Sequence, residues 1–336
     1  MVRFTGRLTI IRSTPHARRF SAVLVLAIWC SAGSGCGWQA DAGHAQGGPA
    51  VRAVQPFSGG RAIKVVCTTG MVAELVRNVG ERHVEVSALM GAGVDPHLYK
   101  ASPGDMSKLN SADMICYSGW HLEGKMTQVF TSLSRRKPVV AAAEAVHEEQ
   151  VLGAKEGTPD PHLWFDVSLW REAAGGVRDA LQAFDPPHAA EYQANCERYQ
   201  SRLTALHEET QRRLQVIPPE QRVLVTAHDA FRYFGRAYQV EVRGIQGIST
   251  DSEAGVKQVN QLVDFLVERK IKAVFVETSV SDQNIRSLLE GCAARNHQVQ
   301  IGGSLYSDAM GDSGSPEGTY EGMIRHNVTA IVKALQ

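Results

Sequence analysis

Two stretches of the chain set an imidazole directly behind an Asp-Pro pair: His97 in "GVDPHLY" and His162 in "TPDPHLWFDV". Proline fixes its own φ near about −65° and confines the residue before it to extended shapes. Asp95-Pro96 and Asp160-Pro161 are therefore stiff turns, each with one ring at its tip. Either aspartate can accept backbone hydrogen bonds or support a ring from behind. Two further metal-capable side chains follow apolar runs: His228 in "RVLVTAHDAFRYFG" and Asp308 in "VQIGGSLYSDAMGD". Three imidazoles and one carboxylate suit a divalent transition metal, held at about 2.0–2.2 Å. A shell filled wholly by protein favours keeping the ion itself, because a catalytic zinc keeps one position for water.

The elements that must position these groups follow from the hydrophobic pattern. From residue 61, "AIKVVCTTG", "VEVSALMG", "DMICYSG" and "KPVVAAA" read as strands, with helices over "MVAELVRNVG" and "DMSKLNSA" between them. Such alternation predicts a mainly parallel sheet with helices on its faces. The middle is helical: "VSLWREAAGGVRDALQAF" stops at "DPPH", and a second run from 189 to 217 contains no Gly or Pro and would be about 40 Å long. Beyond Pro218-Pro219 the pattern repeats, with strands at "RVLVTAH", "VEVRGI", "KAVFVET" and "VQIGGSL" and helices at "VKQVNQLVDFLVERK", "DQNIRSLLEGCAARN" and "TYEGMIRHNVTAIVKALQ". The expected fold is α/β: two lobes, each a mainly parallel sheet flanked by helices, joined by a long rigid helix. The boundaries are 61–186 for the first lobe, 187–217 for the helix and 218–336 for the second lobe. Ligands of open parallel sheets collect beyond the carboxyl ends of the strands. His97, His228 and Asp308 each follow a predicted strand, and His162 lies in the loop feeding the connecting helices. A cleft between the lobes gathers all four.

The first 36 residues read as an export signal. Arg3, Arg7, Arg12, Arg18 and Arg19 lead into the apolar run "FSAVLVLAIWCSAGSGC". Gly33-Ser34-Gly35-Cys36 resembles a lipoprotein cleavage site, with Gly33 where Leu is usual; Arg18-Arg19 leaves twin-arginine export as the other route. Residues 37–60 are rich in Gly, Ala, Gln and Pro and read as a flexible tether. Without the five leader arginines, 30 basic residues face 35 acidic ones, a net charge of −5. That balance lacks the basic stripe nucleic-acid binding requires. Cys67, Cys116, Cys196 and Cys292 lack the paired spacing of a zinc knuckle. Cys67 and Cys116 sit in strand-like runs, as buried thiols or as a cross-strand pair.

A lone loop histidine is more often a surface residue than a ligand. On that ground His121 and His147 are set aside, and His188, His207, His297 and His326, on or beside helices, are read as structural or exposed. Glu277 ends a predicted strand and is read as supporting a ligand or capping the next helix.

The motifs together resemble the metal-specific solute-binding proteins of bacterial ABC importers, the zinc/manganese receptor family. "GVDPHLYKASPGDMSKLNSADMICYSGWHLE", with Ala101 where Pro is common, "DPHLWFDVSLW", "TAHDAFRYFGRAYQVEVRGIQGISTDSE" and "LYSDAMG" with "TYEGMIRHNV" match four ordered signatures over about residues 61–336. The resemblance implies His97, His162, His228 and Asp308 as metal ligands, Zn²⁺ or Mn²⁺ as the transported ligand, and modest hinge movement about the long helix. It also implies a monomer outside the cytoplasmic membrane, periplasmic or anchored there through a lipidated Cys36, that docks onto an ABC permease and its ATPase. A nitrogen-rich shell suits zinc. Zinc-specific relatives often carry a His-rich loop that is lacking here, and manganese-specific ones tend to have a carboxylate where this chain has His228, so zinc, manganese or iron stays open.

Two other functions remain at this point. A zinc hydrolase with three histidines and an activated water needs an open fourth position and a base such as Glu277 or Asp229, and the chain lacks a His-Glu-x-x-His helix. Surface adhesion rests on naming habits within the family.

Overall fold

The structure, a computed structural model, describes residues 55–336. The expected leader, with Cys30 and Cys36, and the tether as far as residue 54 lie outside the described residues. At the tether's end, Phe57 donates its backbone N–H to Phe184 O at 2.6 Å and packs its ring on Phe184.

Alternation of short apolar runs and amphipathic stretches produces a parallel sheet first. Strands β1 (Ile63–Cys67), β2 (Val84–Ala88), β3 (Met114–Tyr117) and β4 (Val139–Ala141) line up as β2-β1-β3-β4. Three helices connect them: α1 (Gly70–Gly80), α2 (Pro103–Ser111) and α3 (Thr127–Leu133). Thr69 caps α1, and Ser102 with Asp105 forms a reciprocal capping box ahead of Pro103 at the start of α2. The seven-residue α3 is too short to show a clear period and is absent from the sequence-based expectation. Cys67 stands opposite Cys116 in the β1–β3 register; both are buried free thiols.

Two long helices follow, α4 (Val167–Phe184) and α5 (Ala189–Leu214). Helix α5 stops at Leu214, three residues before the expected end. Pro218 disfavours helical backbone at Ile217, and a turn over the intervening residues leads out instead. Tyr192, Cys196, Tyr199, Leu203, Leu206, Thr210 and Leu214 are buried at spacings of three and four, with Asn195 beside them, so one mainly apolar face of α5 is buried along its whole length. That face lies on α4, on α1 and on α9 near the C-terminus, and α5 is thus a strut inside the core.

The second half contains β5 (Val223–Thr226), α6 (Arg232–Tyr238), β6 (Glu241–Gly244), α7 (Val256–Glu268), β7 (Ala273–Glu277), α8 (Gln283–Ala293), β8 (Gln300–Leu305) and α9 (Tyr320–Leu335). Its strands pair in parallel as β5-β6 and β7-β8, and β5 lies beside β7. Side chains from both halves, including Trp170, Tyr192, Phe231 and Tyr320, join in one hydrophobic cluster. Fully burying each such side chain contributes roughly 2 kcal/mol, so the two halves share one buried core. No helix among the described residues is long and apolar enough to cross a membrane.

Candidate metal centre

Strand ends deliver the candidate ligands. His97 sits in the loop after β2, His228 two residues past β5 and Asp308 three past β8, while His162 ends the loop leading into α4. All four side chains are buried, and one ligand atom from each lies within 4.8 Å of all the others. His97 Nε2 is 3.3 Å from His162 Nε2 and 3.6 Å from Asp308 Oδ2; His228 Nε2 is 3.3 Å from Asp308 Oδ2, and His162 Nε2 is 3.4 Å from Asp308 Oδ1. Four ligands held at about 2.0–2.1 Å from one centre in a tetrahedron stand about 3.3–3.4 Å apart. These separations therefore fit a shared cation.

The polar chemistry agrees with that fit. His228 Nε2 and both carboxylate oxygens of Asp308 are buried without a hydrogen-bond partner. Such groups are costly to bury unless something satisfies them. A divalent cation at their common focus would do so.

Behind the rings stand two carboxylates. Asp160 Oδ1 lies 2.7 Å from His162 Nδ1 and also accepts the His162 backbone N–H at 3.1 Å. Glu277, the last residue of β7, accepts the His228 backbone N–H at 2.9 Å, and its Oε2 comes within 2.6 Å of His228 Nδ1. Both arrangements turn Nε2 toward the centre, as carboxylates behind metal-bound imidazoles do. His97 differs. Among the described residues no side chain bonds its Nδ1.

Electrostatics separate the rings in the same way. Burial, with two neighbouring imidazoles, outweighs Asp308 and lowers His97 to about 4. Burial opposes protonation of His162 as well, yet Asp160 and Asp308 raise it to about 9. His228 is likewise raised against burial by Glu277 and Asp308, and these cationic rings hold Asp308 well below the usual carboxylate range despite its burial. These carboxylates favour the protonated forms of His162 and His228, so a metal binding there would compete with protons.

The loop carrying His162 is built into the second half of the molecule. Trp164 Nε1 donates to Ser307 O at 3.1 Å, Tyr320 Oη to Trp164 O at 2.6 Å, and Tyr233 Oη to Asp160 O at 2.9 Å, while Phe165 stacks on Phe231. Ser279 braces Ser307 through their hydroxyl oxygens at 2.9 Å. His162, His228 and Asp308 thus share one rigid wall, and His97 faces it from an exposed loop.

The residues set aside from the sequence lie elsewhere. His121 and His147 are exposed. His188 pairs with Asp185, His207 reaches Tyr238 Oη, His297 bonds Ile271 O and His326 bonds Ser304 O. Asp229 faces Arg232 at 3.8 Å. Tyr233, Trp164 and Ser279 had no sequence signal as supports; their roles exist only through tertiary contacts.

Comparison with known proteins places this geometry in a family. The family model described as "Zinc-uptake complex component A periplasmic" (ZnuA) matches residues 65–334. The chain is 49% identical over 275 residues to the manganese-binding lipoprotein MntA of Bacillus subtilis, covering 82% of this chain and 90% of that protein. It is 30% identical over 280 residues to the metal ABC transporter substrate-binding lipoprotein SsaB of Streptococcus sanguinis, covering 81% and 89%. The solved structure of the periplasmic zinc-binding protein TroA from Treponema pallidum superposes with a TM-score of 0.79 at 46% identity, over 82% of this chain and 99% of that one. With a family model matching residues 65–334 and relatives this similar over four-fifths of its length, the chain belongs to the zinc-uptake complex component A family.

Proposed function

We propose that this chain is an extracytoplasmic receptor that captures one divalent transition metal, Zn²⁺ or Mn²⁺, and delivers it to an ABC importer. His97, His162, His228 and Asp308 hold the ion, with Asp160 and Glu277 fixing two of the rings. The observation that carries this reading is the gathering of three imidazoles and the Asp308 carboxylate at one buried place, with one ligand atom from each within 4.8 Å of all the others. The partners are a membrane permease and its ATPase, and the receptor acts as a monomer held at the membrane by a lipidated Cys36.

Asp308 also argues against hydrolysis. Its carboxylate faces the three rings, so protein fills the position a catalytic zinc reserves for water. The chain binds and releases without turning over a substrate.

Elemental analysis of protein purified without added metal, followed by competition between Zn²⁺ and Mn²⁺, tests the reading. It predicts one ion per chain, and alanine at His97 or His228 removes high-affinity binding. Undiminished stoichiometric binding in both variants overturns the assignment.

A further inference from the structure

The geometry points to Thr250 as a positioning residue for His97: through Asp95 it latches the loop bearing that ring across the cleft and sets how fast the cation leaves. This inference rests on the receptor reading above. Asp95 Oδ1 accepts the His97 backbone N–H at 2.8 Å, and its Oδ2 accepts the Thr250 hydroxyl at 2.6 Å. Thr250 belongs to the loop between β6 and α7, 155 residues along the chain from Asp95. One residue on, Asp251 pairs with Lys125 of the first half at 2.8 Å. Two adjacent residues of one loop therefore tie down the first half at two places.

His97 is where such a tie has a consequence. His162, His228 and Asp308 are 0–1% exposed and sit on the braced wall, whereas His97 is 6% exposed and is followed by Leu98 at 47%. Gly91, Ala92 and Gly93, which lead into the turn, are exposed too. With no partner on His97 Nδ1, the ring has no carboxylate of its own to hold it. The shortest way to open the shell is to swing this loop outward, which breaks the Asp95–Thr250 hydrogen bond and leaves the other three ligands in place. A hydrogen bond to a carboxylate is stronger than one between neutral groups, so it slows that swing without adding a ligand to the cation.

The test is release of Zn²⁺ from the loaded full chain into excess EDTA, followed by stopped flow. Thr250→Val, which keeps the shape and loses the donor, is expected to speed release about tenfold or more, with the association rate unchanged within about threefold. Thr250→Ser restores the donor and returns release to the wild-type rate. The surface pair variant Lys125→Met, which leaves Thr250 untouched, speeds release by a few-fold. Equal release rates for wild type, Thr250→Val and Lys125→Met, each holding one ion, overturn the latch alone. Wild-type protein that holds no ion overturns the receptor reading and the latch with it. Faster release in Thr250→Ser to the same extent as in Thr250→Val also overturns the latch, because packing rather than the hydroxyl is then responsible.

Discussion

The two Asp-Pro-His turns share a sequence pattern and differ in what their aspartates do. Asp160 bonds both the backbone and the ring of His162 within its own turn, and that turn is clamped by Tyr233, Trp164 and Tyr320. Asp95 bonds the backbone of His97 and spends its second oxygen on Thr250, across the cleft. One turn fixes a ring permanently. The other fixes a loop conditionally. A receptor must hold its cargo and also surrender it, and the proposed shell, with three braced ligands and one on a latched loop, would separate these two demands.

The largest effects come from the ligands. Structural zinc sites bind with about 10–16 kcal/mol, or roughly 3 kcal/mol per ligand in a shell of four, so His162→Ala or Asp308→Ala should weaken Zn²⁺ binding at least about a hundredfold by calorimetry. His97→Ala should also lose tight binding, but by about tenfold less than His162→Ala, since no carboxylate reinforces that ring. Equal losses break the comparison.

The aspartates come next. Asp160→Asn should cost about 10–100-fold in affinity. Asp95→Asn should cost less than about fivefold in both release and affinity, because its amide leaves the His97 ring untouched and still reaches Thr250 through a weaker, neutral hydrogen bond. Chelator competition separates the two variants, and matching affinities would contradict the division of roles.

Acidity sharpens the same contrast. His162, raised to about 9, and His228, also raised, carry protons near neutrality, whereas His97, lowered to about 4, does not. Metal affinity should therefore rise about tenfold per pH unit for each proton displaced between about pH 6 and 8. In the metal-free protein the linkage has opposite signs at the two turns. The His162 contribution to stability is fully present below its ordinary value of 6.5 and is lost as pH rises through about 9. The His97 pKa is depressed, so its contribution is present above 6.5 and lost as pH falls through about 4. NMR titration of the ring resonances reads the order directly; His97 charging before His162 on acidification would reverse it.

The smallest expected effect is structural. Tyr233→Phe removes a hydroxyl that donates to Asp160 O and accepts the Leu152 N–H at 2.9 Å. It should cost about 1–2 kcal/mol in urea denaturation, with affinity changed far less than by Asp160→Asn.

Much of this arrangement can be read along the chain, for physical reasons. Stiff Asp-Pro turns announce His97 and His162, and strand periodicity announces the carboxyl ends where His228 and Asp308 stand. Helix α4 coincides with its expected run from Val167 to Phe184 because Asp166 caps one end and Pro186-Pro187 closes the other. The long helix runs short at Leu214, where Pro218 acts further upstream than a simple stop signal suggests. Short α3 and α6 offer too few residues to establish a period. Thr250 lies in "ISTDSE", which reads as any polar loop; its significance arises only when folding brings it to Asp95. The expected boundaries put the His162 loop with the first sheet, and folding braces it with α6, α9 and the β8 loop of the second half, contacts with no signal along the chain.

Zinc-edge X-ray absorption on the loaded chain reads the coordination sphere itself. Three imidazoles with a carboxylate at about 2.0–2.2 Å is the predicted shell; a sulfur shell, or a sphere of oxygens with fewer than three imidazoles, would contradict it.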